Sequence, residues 1–119
     1  MAQSRTYKRY NFLATASINA DSNPHVQLSA LVDNISQSGI RLQTYEPLKI
    51  GTTVRINLTF TTRSGAKSRT TLKGHVARLY RKSDSYFMGI AFDREIKHES
   101  NPVLFKYISK GPVKFILRG

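Results

Sequence analysis

The sequence predicts an all-β domain, a closed or nearly closed barrel of six short strands followed by one C-terminal helix. Three observations carry this reading. From Asn11 onward, apolar residues alternate with polar ones or run together over short stretches. Clusters of Asn, Asp, Ser, Gly and Pro separate those stretches, and only one segment, near the end, changes to helical spacing. The 119 residues, 39% of them apolar, can fill one core, and no Pro/Gly/Ser-rich seam divides them.

Taken in order, the first strand is read in FLATASI (12–18) and the second in VQLSALV (26–32), with ADSNP (20–24) turning between them. IRLQTY (40–45) and TVRINLTF (53–60) follow, bounded by NISQSG (34–39) and PLKIG (47–51). TLKGHVARLY (71–80) and YFMGIAF (86–92) complete the set, after TRSG (62–65) and RKSD (81–84). Six short strands at this spacing predict a barrel over 11–93. The predicted helix covers 101–110: Asn101 can cap it, Pro102 suits its first position, and Gly111-Pro112 stops it. Val103, Leu104, Tyr107 and Ile108 fall on one face of that helix. The apolar VKFIL (113–117) fits a last strand, a plug for a barrel end or a partner-docking strip, and the sequence leaves the three open. No internal repeat or low-complexity segment is visible.

Nineteen Lys and Arg against seven Asp and Glu give a net charge of +12, which concentrates anions around the chain. Charge alone does not separate a nucleic acid, an anionic lipid surface and a phosphorylated small ligand. With no cysteine there are no disulfides and no thiolate chemistry, and the start MAQSRTYKRY has no apolar core of a signal peptide, so a cytoplasmic protein is expected. No apolar run approaches the ~18 residues of a membrane helix. His25, His75 and His98 are scattered, and Asp21, Asp33, Glu46, Asp84, Asp93, Glu95 and Glu99 form no recognisable catalytic pair. Neither catalysis nor a metal site is expected, and the common glycine-rich nucleotide cradles are missing.

Two patterns remain. Arg5-x-x-x-Arg9 stands at the start, and Asn34-x-Ser36-x-x-Gly39 follows at a predicted strand end. Asn34 offers an amide to a base edge and Ser36 a hydroxyl to a phosphate, while Gly39 is free to take φ > 0 and admit a close ligand. An arginine complements such a shelf, because its guanidinium forks onto guanine O6/N7 or two phosphate oxygens and its flat face stacks on a base.

Together these motifs resemble the signature of PilZ domains, RxxxR followed by [D/N]xSxxG, and GHVARLY (74–80) with YFMGIAFD (86–93) is similar to that family's fifth and sixth barrel strands. The resemblance covers nearly the whole chain. It implies a six-stranded antiparallel barrel, a flexible arginine-bearing segment over 1–10, and non-catalytic binding of the bacterial second messenger cyclic di-GMP, with no cofactor. Carried over by position, it implies that Arg5 and Arg9 contact guanine and phosphate, Asn34 a guanine edge, and Ser36 a phosphate or base, while Gly39 keeps the shelf open. Asp33, next to the motif, shares base recognition or braces an arginine, and Lys8 and Arg41 are auxiliary cations. Tyr7, Tyr10, Tyr80 and Tyr86 are read as packing residues. On this reading the partners are cyclic di-GMP and a protein of motility, adhesion or polysaccharide machinery, not nucleic acid, with no membrane insertion. The alternatives are a barrel that binds single-stranded nucleic acid through its basic surface, and a PilZ-like protein-interaction module without ligand.

Overall fold

Period-two burial organises every long strand. Along β5 (Thr53–Thr61), Val54, Ile56, Leu58 and Phe60 point into the core, while Thr53, Arg55 and Asn57 face out. The computed structural model describes residues 8–10, 14–61, 65–108 and 113–115. In chain order its other elements are β1 (Lys8–Tyr10), β2 (Ala14–Ala20), β3 (Asn23–Ile35), β4 (Gly39–Thr44), β6 (Lys67–Lys82), β7 (Ser85–Phe92), α1 (Pro102–Ile108) and β8 (Val113–Phe115).

Six of these strands close a ring in the order β3-β2-β5-β6-β7-β4, with β4 pairing back onto β3, and every pairing in the ring is antiparallel. The predicted six-stranded antiparallel barrel is therefore the observed fold. Closure relies on two long strands that each serve two neighbours. β3 pairs with β2 through Asn23–Leu31 and with β4 through Leu31–Ile35, and β6 pairs with β5 and then with β7. Each long strand carries a bulge beside the β4–β7 pair, at Asp33 in β3 and at Ala77 in β6. An extra residue bends its strand and raises the local twist, which is how a small sheet turns the corners of a barrel.

The interior is filled by Ile18, Val32, Leu42, Ile56, Leu58, Val76 and Met88, all essentially inaccessible. Leu104 and Ile108 of α1 are buried in the same apolar core, as is Ile96. Each such side chain contributes on the order of 1.5–3 kcal/mol by burial. Two expectations about the helix change. Val103 is 46% exposed, because seven helical residues offer room for a single i, i+4 buried pair. Asn101 uses its side-chain oxygen to accept a hydrogen bond from Thr70 Oγ1 at 2.6 Å, tying the helix start to β6. Residues 109 and 110, placed in the helix by the sequence, lie outside the described residues.

VKFIL resolves in part. Val113–Phe115 form a strand that pairs antiparallel with β3 at Asn34 and Ile35, along the length of β3 that β2 leaves unpaired. β1 then pairs in parallel with β8. Of the predicted N-terminal segment, Lys8–Tyr10 is thus a paired strand, and residues 1–7 lie outside the described residues.

Candidate functional site

The predicted shelf forms where β3 turns into β4. Ile35 and Ile40 are the last paired residues, and the Ser36 N–H donates to the Gly39 carbonyl at 2.9 Å with Gln37 and Ser38 at the corner. The corner is pinned from behind. Phe92 N–H donates to the Ser38 carbonyl and Ile96 N–H to the Gln37 carbonyl, both at 2.9 Å, and Gln37 Nε2 returns a bond to the Ile96 carbonyl at 3.3 Å. Ser36 Oγ lies 3.4 Å from both Ser38 Oγ and the Gly39 carbonyl, at the long limit for hydroxyl bonds, so a ligand oxygen competes with little to displace.

Gly39 serves this turn for a reason other than the one expected. Its φ is not positive; among the described residues the left-handed glycines are Gly51 and Gly65. A Cβ at position 39 would instead meet the Ile90 carbonyl oxygen of β7 at 2.5 Å. Glycine is required by the approach of the neighbouring strand, and through it the shelf sits tightly against β7.

Asp33 is the extra residue of the β3 bulge, and only 4% of it is accessible. Three donors converge on its Oδ2: Arg41 Nε, Arg41 Nη2, and Asn34 Nδ2 at 3.1 Å. A buried carboxylate is tolerated only with such partners. In this arrangement Asp33 braces an arginine, Arg41. The bond also orients Asn34: with Nδ2 committed to Asp33, its Oδ1 has no partner among the described residues.

Arg41 is held from a second side. Its guanidinium stands 5.8 Å above the Phe87 ring, and Phe87 stacks on Tyr80 with centroids 5.4 Å apart and planes 10° from parallel. Arg41, Phe87 and Tyr80 therefore form one flat platform across the outer face of β4, β7 and β6, and Tyr80 remains 46% exposed. Tyr86 packs under Arg81 at 5.9 Å. In the same face the ladder aligns Arg41, Gly89 and Arg78, so the missing side chain of Gly89 leaves space between two cations. Phe87 and Arg78 escaped the sequence reading; the glycine inside YFMGIAF was the available signal.

The arginine motif enters through β1. Asn34 stands opposite Lys114 in β8, and Lys114 opposite Arg9 in β1, so the three share one row across three strands. At roughly 4.8 Å per strand, the Arg9 backbone lies about 10 Å from that of Asn34. Lys8 falls on the adjacent row, opposite Val113. Asn34, Ser36, Gly39, Asp33 and Arg41 are thus gathered at one end of the β3–β4 hairpin with the backbone of Arg9 alongside. Arg5 and Tyr7 lie outside the described residues.

Comparison with known proteins agrees with this architecture. The family model described as PilZ domain matches residues 3–110. No curated protein sequence matches the chain. Among solved structures, the Bacillus subtilis inhibitor of motility (MotI/DgrA) superposes with a TM-score of 0.61 at 18% identity. That likeness covers 92% of this chain and 52% of the other, so the chain spans about half the length of that protein and shares its fold. With Asn34, Ser36 and Gly39 of the signature on one hairpin end and the family model spanning the barrel and α1, the chain belongs to the PilZ domain family.

Proposed function

We propose that this domain binds cyclic di-GMP at the β3–β4 shelf and acts as a non-catalytic receptor, as PilZ domains generally do. The observation that supports it most is the shared row of Asn34, Lys114 and Arg9, which carries the arginine segment to the shelf that Asp33 has already arranged. The ligand's two phosphates and two guanines match the groups available. Asn34 Oδ1 would accept from the N–H donors of a guanine edge, and adenine, whose N1 is an acceptor, lacks that arrangement. Ser36 Oγ and Arg41 would receive phosphate oxygens, and Arg5 and Arg9 would fork onto guanine or phosphate and stack.

Closure of the arginine segment over the ligand would change the surface around β1 and β8 and so the affinity for a protein partner. Because the Bacillus subtilis neighbour is an inhibitor of motility, a motility component is the first class of partner to test. Calorimetric titration with cyclic di-GMP, with cyclic di-AMP as control, tests the reading. Saturable heat with the guanine ligand alone is expected. Equal binding of both ligands would remove the guanine-edge role of Asn34, and no binding of either would end the proposal.

A further inference from the structure

Charge along this chain is unevenly distributed. Residues 47–83 hold nine of the nineteen lysines and arginines and none of the seven carboxylates. This stretch is the β5–β6 hairpin with its flanks, and the ladder sorts its cations onto one face. Lys67 stands opposite Thr61, Arg69 opposite Thr59, and Lys73 opposite Arg55, all on the outer side of the barrel. Lys67, Arg69, Lys73 and Arg55 are exposed, and the only ion pair among the described residues is that of Arg41 with Asp33, elsewhere on the molecule.

This face opens into a cleft of about 940 Å³ that crosses β6, β5, β2 and β3 and ends at β4 and β7. In the ring order, β2 and β5 lie across the barrel from β4 and β7, and the cleft reaches from that wall to the ends of β4 and β7 away from the shelf, at Gln43, Thr44 and Ser85. Its lining mixes hydroxyl and amide groups, Thr15, Ser17, Ser29, Asn57 and Thr59 among them, with the apolar Ala16, Ala30, Leu31 and Leu58; Arg69 is its one cation, and it contains no carboxylate. Tyr45, 78% exposed, stands on its rim.

We infer that this cleft is a second binding site, and that it takes single-stranded nucleic acid. From Lys67 to Lys73 the cations run for about 20 Å at roughly 3.3 Å per residue, a line suited to a polymer with regularly spaced phosphates. The neutral donors and acceptors between them suit sugar hydroxyls and base edges, and Tyr45 offers a stacking face for an unpaired base. An acidic protein surface would use the cations but neither the hydroxyl and amide groups of the cleft nor its aromatic rim. A bilayer would require a convex apolar tip, which a concave cleft of mixed lining does not present.

The test is fluorescence anisotropy of labelled oligouridylate and oligothymidylate of about twelve nucleotides with the whole chain, without cyclic di-GMP. Salt is varied from about 50 to about 200 mM. Four phosphate contacts predict a slope of log K against log salt near −3, at about −0.7 per contact on a single strand. R69Q/K73Q should make that slope shallower by about 1.4 and weaken binding at low salt at least about tenfold. Y45A should cost about fivefold or more, with both variants melting like the parent because these side chains are exposed. Binding of either oligomer with this dependence supports the site. Failure of both to bind at low salt overturns it, as does an equal loss in K97Q/K106Q, which removes the same charge elsewhere. Polyglutamate binding as tightly, with the same dependence on Arg69 and Lys73, would assign the face to an acidic protein instead and overturn the inference.

Discussion

Replacing Gly39 with alanine should destabilise the barrel through a backbone clash. The new Cβ would lie 2.5 Å from the Ile90 carbonyl oxygen, whereas real Cβ contacts essentially never fall under 3.0 Å, so β4 and β7 must part by about half an ångström. That oxygen belongs to the β4–β7 ladder, and the turn beside it is pinned by the Phe92 N–H to Ser38 bond, so neither strand moves alone. Overpacking of this kind costs ~1–3 kcal/mol. For a domain of this size, at about 4 °C per kcal/mol, the melting temperature should fall by roughly 4–12 °C. Thermal melts followed by circular dichroism suffice, and Gly39→Asn supplies the control. Asparagine tolerates a left-handed backbone better than alanine does, so it would be the milder change if φ mattered here. The clash predicts that asparagine is at least as harmful as alanine at 39. At Gly51, where φ is 94° and no atom lies within 4 Å of the added Cβ, asparagine should be the milder change. A Gly39→Ala protein melting within about 1 °C of the parent, or clearly below Gly39→Asn, would refute the argument.

Asp33→Ala removes the acceptor shared by Arg41 and Asn34; since Arg41 is 38% exposed and can turn to water, the stability loss should stay near 1–2 kcal/mol, below the 3–5 kcal/mol of a fully buried broken pair. Calorimetry on the same variant should show about tenfold weaker cyclic di-GMP binding, as Arg41 and Asn34 lose their orientation. Arg9→Ala should keep the fold, since alanine retains the β1 backbone ladder, yet reduce affinity by at least about 30-fold through loss of a forked contact and a stacking face. Ser36→Ala should cost less, about 0.5–1.5 kcal/mol of binding, with an unchanged melt because the intramolecular bonds of its hydroxyl are long.

How far the sequence reached depends on the distance over which each feature is decided. The strands were legible because alternation is local, as in TVRINLTF, and both motifs were legible because their spacing is. Strand ends that depend on a partner were not. KSRT, at the start of β6, has no apolar residue beyond its polar run and is a strand because β5 pairs with it; Asn23 and Pro24 read as the end of a turn and belong instead to the start of β3, where Asn23 pairs with Ala20. The bulge at Asp33 is likewise invisible in one dimension, and with it the convergence of Arg41 and Asn34 on a buried carboxylate. Gly39 shows how a correct residue can be chosen for the wrong reason. A glycine in an Asn/Ser-rich turn suggests φ > 0, but its necessity comes from a carbonyl on a strand some fifty residues later. The Arg41–Phe87–Tyr80 platform draws one residue from each of three strands, and no single window of sequence contains it.

Amide hydrogen exchange with and without saturating cyclic di-GMP tests the central claim most directly, because it locates binding as well as detecting it. Protection should rise at residues 5–10 and 34–41, where the arginine segment and the shelf would enclose the ligand, while β5 at 53–61, on the far wall, changes little. Ligand-induced heat without added protection at 8–10 and 34–39, or with protection confined to the β2–β5 wall, would place the binding site elsewhere and contradict the account.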